Sequence, residues 1–123
     1  MLTRELPQSS LPEKLEPALI GELIAIIEGE RLTPVFQPIV DFSTSSIIGY
    51  EGLIRGPASS RLYSPQDLFE VAGRCNMTQA LERTCFAAVL ERFVELDLKG
   101  SLSINLGPDT VQTESFHPDR LVP

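Results

Sequence analysis

Two runs of alternating side chains, parted by a short patch of serine and threonine, constrain this chain more than any other feature. They lie between Pro34 and Pro57, in PVFQPIVDFSTSSIIGYEGLIRGP. Successive side chains of a strand point to opposite faces, so a period of two marks a half-buried strand. The spacing predicts strands over residues 35–42 and 47–55 joined by a turn at 43–46, a hairpin-like pair. Pro34 and Pro38 push the first strand toward an edge, because proline donates no ladder hydrogen bond. On the second strand Ile48, Tyr50 and Ile54 share an apolar face, while Glu51, Leu53 and Arg55 share the other. On the first, Gln37 shares a face with Val35 and Ile39, opposite Phe36, Val40 and Phe42.

The segments on either side read as helices. Residues 17–28 carry an apolar stripe of Leu19, Ile20, Leu23, Ile26 and Ile27, with Pro17 suited to the first turn and Gly29 to the stop. Downstream, Ser64 can cap a helix that opens with Pro65 and Asp67 and closes at Gly73. Asn76 with Gln79 reads as a second cap, starting a long helix to about Leu96. Its broad apolar stripe comprises Leu81, Cys85, Phe86, Val89, Leu90, Phe93 and Val94. Gly100 ends that segment, and residues 102–106 form a third strand closed by Gly107 and Pro108. The interval between the second and third strands is long enough to bring them side by side in parallel. Helix, hairpin, two helices and strand make the start of an α/β architecture.

Composition narrows the function. At 123 residues the chain holds one small domain or part of a larger one. A formal net charge of −7 argues against a nucleic acid polymer as partner, since that needs a concentrated basic surface. A small phosphate ligand needs only one or two local cations and stays open. Residues 1–16, punctuated by Pro7, Pro12 and Pro17, are expected to be a flexible lead-in or linker. The most apolar run, 18–27, falls far short of the ~20 residues of a bilayer span, so a cytoplasmic protein with no membrane segment is expected. Cys75 and Cys85 have neither CxxC spacing nor a matched histidine, which favours reduced thiols over a disulfide or metal pair. His117 sits in a proline-flanked tail and reads as a surface histidine.

All three strands share one oddity. A parallel sheet covered on both sides should be almost continuously apolar. Here one face is apolar, and the other holds Gln37, Glu51 and Arg55, then Ser101, Ser103 and Asn105 on the third strand. That face is either simply solvated or the lining of a site. As a site, Glu51 and Asn105 offer the oxygen donors that magnesium and manganese prefer. Arg55 offers a planar fork that matches phosphate. Glu51 and Arg55 lie roughly 13 Å apart along the strand, so they could grip different parts of one extended ligand.

QPIVDF, GYEGLIRGP, SPQDLFEVAGRCN, the pair Leu81-Glu82 and LSINL follow one another in an order that resembles the N-terminal part of an EAL domain. That is the bacterial phosphodiesterase family that linearises cyclic di-GMP. The resemblance covers roughly residues 18–116. It implies a partial TIM-like (β/α) barrel over residues 17–123 whose first strand runs against the others. It also implies roles for particular residues. Glu51 and Asn105 are the metal ligands, while Gln37, Leu53 and Arg55 belong to the substrate-binding set, with Arg55 on phosphate. Gly52 stands where the signature has alanine, which would loosen the strand.

The later acidic metal ligands and the catalytic lysine that the family uses have no counterpart here, and Lys99 lies before the third strand. A TIM barrel takes about 250 residues, so the expectation is a truncated, inactive piece of a phosphodiesterase domain. Magnesium or manganese would be weakly held or absent. An exposed sheet edge would favour a homo-oligomer. The alternative is a non-catalytic EAL-like module for protein–protein interaction or cyclic di-GMP sensing.

Overall fold

The computed structural model of the chain describes Leu11 and residues 13–105. Most of the expected lead-in, Leu106 at the end of the third strand, and His117 lie outside the described residues. The element order is α1 (Pro17–Glu28), β1 (Thr33–Asp41), β2 (Ser46–Arg55), α2 (Pro65–Arg74), α3 (Thr78–Glu95) and β3 (Ser101–Ile104). The three strands form one sheet in the order β1-β2-β3. β1 is antiparallel to β2, and β3 is parallel to β2. This mixed α/β arrangement is that of a partial β/α fold, with the first strand reversed, as the sequence led us to expect.

Local chemistry accounts for the element ends. Pro17 sits in the first turn of α1, and the N–H of Gly29 returns to Ala25 O to close it. Ser64 caps α2 by accepting from Asp67 N at 3.1 Å. In the hairpin turn, Asp41 Oδ1 accepts from Ser43 N at 2.9 Å and from Ser43 Oγ at 2.8 Å. These bonds stabilise the ionised form and hold the Asp41 carboxyl below its ordinary range.

One face of the sheet meets the helices. Leu102, Ile104 and Ile54 are buried there against Leu81, Cys85, Val89 and Phe93 of α3, with Leu19, Leu23 and Ile26 of α1 completing the core. Phe93 anchors the contact, its ring 5.8 Å from Phe36 and 6.0 Å from Tyr50 in tilted and edge-on geometries.

Several details depart from the pattern reading. Gly73 lies inside α2, which runs on to Arg74 with the Arg74–Glu70 ion pair along its last turn. Asn76 adopts a left-handed conformation (φ 59°), so it links the two helices, and Met77 occupies the N-cap of α3 without a side-chain bond. The β1–β2 register shifts between Ile39 and Val40, from Ile39 opposite Gly49 to Val40 opposite Ile47. Ile48 is the extra residue of this bulge and is half exposed, so it does not join Tyr50 and Ile54 in the core. The stripe of α3 is narrower than its sequence, with Phe86 and Val94 exposed beside the buried row.

Candidate functional site

The face of the sheet turned away from the helices carries the polar residues, and the register aligns them. In the antiparallel β1–β2 ladder Gln37 is directly opposite Glu51, Val35 opposite Leu53 and Thr33 opposite Arg55. In the parallel β2–β3 ladder Ser103 is opposite Glu51. Directly opposed residues share a face, so Gln37, Glu51 and Ser103 form one row across three strands, about 10 Å wide. Asn105 lies one residue beyond β3 but is still held in register, its backbone N–H donating to Gly52 O at 3.0 Å.

Glu51 and Asn105 meet. Asn105 Nδ2 donates to Glu51 Oε2 at 3.3 Å, joining residues 54 positions apart in sequence. Glu51 is half-buried and Asn105 exposed, so the pair faces open space. Arg55 is brought to the same face at the last position of β2, where its Nη1 donates to Ile54 O at 2.9 Å. Among the described residues, no ion pair links Arg55 to Glu51. Leu53, half-buried, lies between them on the same face, and Gln37 is exposed on the neighbouring strand. All five expected residues therefore share one face, and a hydrogen bond joins Glu51 to Asn105. Thr33 and Ser103 join that face as well. Alternation placed Ser103 there, but only the ladder register shows that it opposes Glu51, and register depends on the turn and crossover rather than on local pattern.

The donor chemistry suits a hard divalent cation, since a carboxylate and an amide oxygen are ligands that magnesium accepts. Among the described residues, Glu51 and Asn105 are the two such donors that the structure brings together. Two protein oxygens fill a third of an octahedral shell. Among the described residues, no group of three or more His, Cys, Asp or Glu could hold a metal ion. Lys99, the lysine nearest β3 in sequence, pairs with Asp97 at 2.8 Å in the exposed turn before that strand.

A groove of about 410 Å³ lies elsewhere, between the end of α1, the start of β1 and α3. Ile27, Leu32, Pro34, Arg83 and Ala87 are among its lining residues, and it shares none with the polar strand face. We place the candidate chemistry on the strands, where carboxylate, amide and guanidinium share one face.

The family model described as EAL domain matches residues 21–121, a span that includes every one of these side chains. The chain belongs to the EAL domain family. This is the family of cyclic di-GMP phosphodiesterases, enzymes that generally depend on a metal. No curated protein gave a significant match. β2 is the strand on which Glu51, Gly52 and Leu53 resemble the family's signature, with Gly52 at the middle position. A Cβ at that position would lie 2.5 Å from Val89 Cγ1, so α3 already fills the space an alanine would need. Gly52 is buried, and the strand is closely packed there rather than loosened. No described helix is long and apolar enough to cross a membrane.

Proposed function

We propose that the polar strand face is the substrate-side portion of an EAL-type site: it contacts cyclic di-GMP without hydrolysing it. The single observation that carries this reading is the Glu51–Asn105 contact on the same face as Gln37, Leu53 and Arg55. In this assignment Arg55 supplies two parallel N–H donors to a phosphate, exchanging its bond to the neutral Ile54 O for a bidentate pair with an anion. Gln37 donates or accepts at the base or ribose, and Leu53 gives an apolar floor between the two polar ends. A metal bound to Glu51 and Asn105 would lower the pKa of its water and clamp a phosphate oxygen. The two side chains can hold a share of such an ion but cannot define its geometry.

Inactivity is expected because the later acidic ligands and the lysine that the EAL resemblance implies have no counterpart in this sequence. Incubating the purified chain with cyclic di-GMP and excess Mg²⁺ or Mn²⁺, and separating the products, should give no linear dinucleotide above a protein-free control. Metal-dependent turnover would overturn this part of the proposal.

A second reading, an interaction module that associates with itself, rests on the hairpin end. Phe42 is 91% exposed there, beside Ile47 and Ile48, and Val40 adds to the same end. β1 and β3 are the outer strands of the described sheet, and an outer strand is a template for further pairing. Sedimentation over a wide concentration range, with Phe42→Ser as the comparison, tests it. Concentration-dependent dimerisation weakened by the substitution supports it, and a monomer throughout refutes it.

A further inference from the structure

Arg55 is the last residue of β2, and a folded loop follows it directly. Gly56 N donates to Tyr63 O at 2.8 Å, which folds residues 57–63 back onto the strand end. The approach is close: a Cβ on Gly56 would fall 2.0 Å from Leu62 O, so only glycine fits. Leu62 is fully buried with Leu19 and Leu23 of α1.

Ser60 organises this loop. Its hydroxyl accepts from Leu62 N at 2.9 Å and donates to Glu22 Oε2 on α1, 38 residues earlier. Its backbone also takes part, with Ser60 N bonded to Pro57 O at 3.0 Å and Tyr63 N to Ser60 O at 3.2 Å. A second link from the loop to the N-terminal segment, Arg61 to Glu16 at 3.2 Å, joins two side chains that are both more than half exposed. An exposed ion pair of this kind contributes little. The Ser60–Glu22 bond is part-buried and charge-assisted, and is the stronger restraint.

We propose that Glu22 and Ser60 are positioning residues for Arg55. Their hydrogen bond fixes the loop, the loop clamps Gly56 through Tyr63, and the clamp sets how the Arg55 guanidinium leaves the end of β2. Helix α1 thereby controls the phosphate contact without touching the ligand. This rests on the reading of Arg55 as that contact.

The test uses the full chain in three variants, with amide exchange, the Arg55 Nε–H resonance, and calorimetric titration of cyclic di-GMP. Ser60→Ala should raise the exchange rate of the Gly56 amide about tenfold, shift the Arg55 Nε–H resonance, and weaken binding about tenfold. Glu22→Gln keeps an acceptor for the Ser60 hydroxyl but loses its charge, and should fall between the wild type and Ser60→Ala in both rates and affinity; a Glu22→Gln variant identical to the wild type removes Glu22 from the proposal. Arg61→Ala should change neither. Core amides of α3, such as Phe93, exchange at the wild-type rate in all three, which separates a local effect from unfolding. If Ser60→Ala speeds Gly56 exchange but leaves the Arg55 resonance unmoved, the loop is structural only and the proposal fails. It also fails if Gly56 exchange is unchanged. If the wild type binds no cyclic di-GMP, the reading of Arg55 as a ligand contact falls, and the resonance and exchange data still decide the coupling.

Discussion

Gly52→Ala restores the family's signature residue at the centre of β2, and the structure predicts that it destabilises this protein. The added Cβ would lie 2.5 Å from Val89 Cγ1, with Leu102 Cδ1 and Phe36 Cε1 each 3.6 Å away. Carbon atoms pack at about 3.5–4.0 Å, so β2 and α3 must separate locally by about 1 Å. Val89 cannot swing clear easily, being fully buried and β-branched. Overpacking of this size costs about 1–3 kcal/mol, against which the lower entropy of unfolded alanine returns about 0.4–1 kcal/mol. A net loss of about 1–2 kcal/mol follows. Val89→Ala alone leaves a void and also destabilises. The double variant Gly52→Ala/Val89→Ala lets the new methyl occupy part of that void, so it should be more stable than the sum of the single effects by about 1–2 kcal/mol. Urea unfolding followed by circular dichroism, at one fixed protein concentration, measures all four corners of the cycle. Gly52→Ala that is neutral or stabilising, with additive single effects, would refute the packing argument.

Three further outcomes follow from other parts of the fold. Ser64→Ala removes the cap on Asp67 N and should cost about 1 kcal/mol in the same unfolding assay, whereas Ser59→Ala in the neighbouring loop should cost nothing measurable. Burial, with a smaller contribution from the Glu82 charge, pushes the Cys85 thiol up to about 12 from 9.0. The folded state therefore keeps that proton after the unfolded chain has released it. Stability is full below pH 9 and falls as pH rises from there toward 12, by up to about 1.4 kcal/mol per pH unit relative to Cys85→Ala. Parallel pH-dependent slopes for the two proteins would contradict this. Thiol labelling at pH 8 should modify Cys75, which is partly exposed, and spare Cys85 until denaturant is added.

Much of this architecture was legible because its signals are local. Pro17 and Gly29 fix the ends of α1, Ser64 and Pro65 fix the start of α2, and alternation separates the two faces of β2. Features that depend on distant contacts were not legible. The bulge at Ile48 breaks alternation without changing composition. A single glycine costs about 1 kcal/mol within a helix, so Gly73 could be absorbed by α2 once its neighbours packed. Asn76, one of the residues most tolerant of left-handed backbone, resembles a cap in sequence and links the two helices in the structure. Phe86 and Val94 continue the apolar stripe of α3, but a helix buries only the side that faces its neighbours. The site was half legible in the same sense. Alternation put Glu51 and Arg55 on one face, whereas the opposition of Gln37 and Glu51 and the contact of Asn105 with Glu51 arise from ladder register.

The central claim is that this strand face recognises a cyclic dinucleotide through Arg55 and Gln37. Calorimetric titration of the wild-type chain with cyclic di-GMP, beside Arg55→Ala and Gln37→Ala, tests it most directly. The account predicts saturable heat for the wild type, affinity at least about tenfold weaker for Arg55→Ala, the loss expected of a charged hydrogen bond, and a smaller loss for Gln37→Ala. No saturable binding by the wild type, or equal affinity with and without the Arg55 guanidinium, would contradict it.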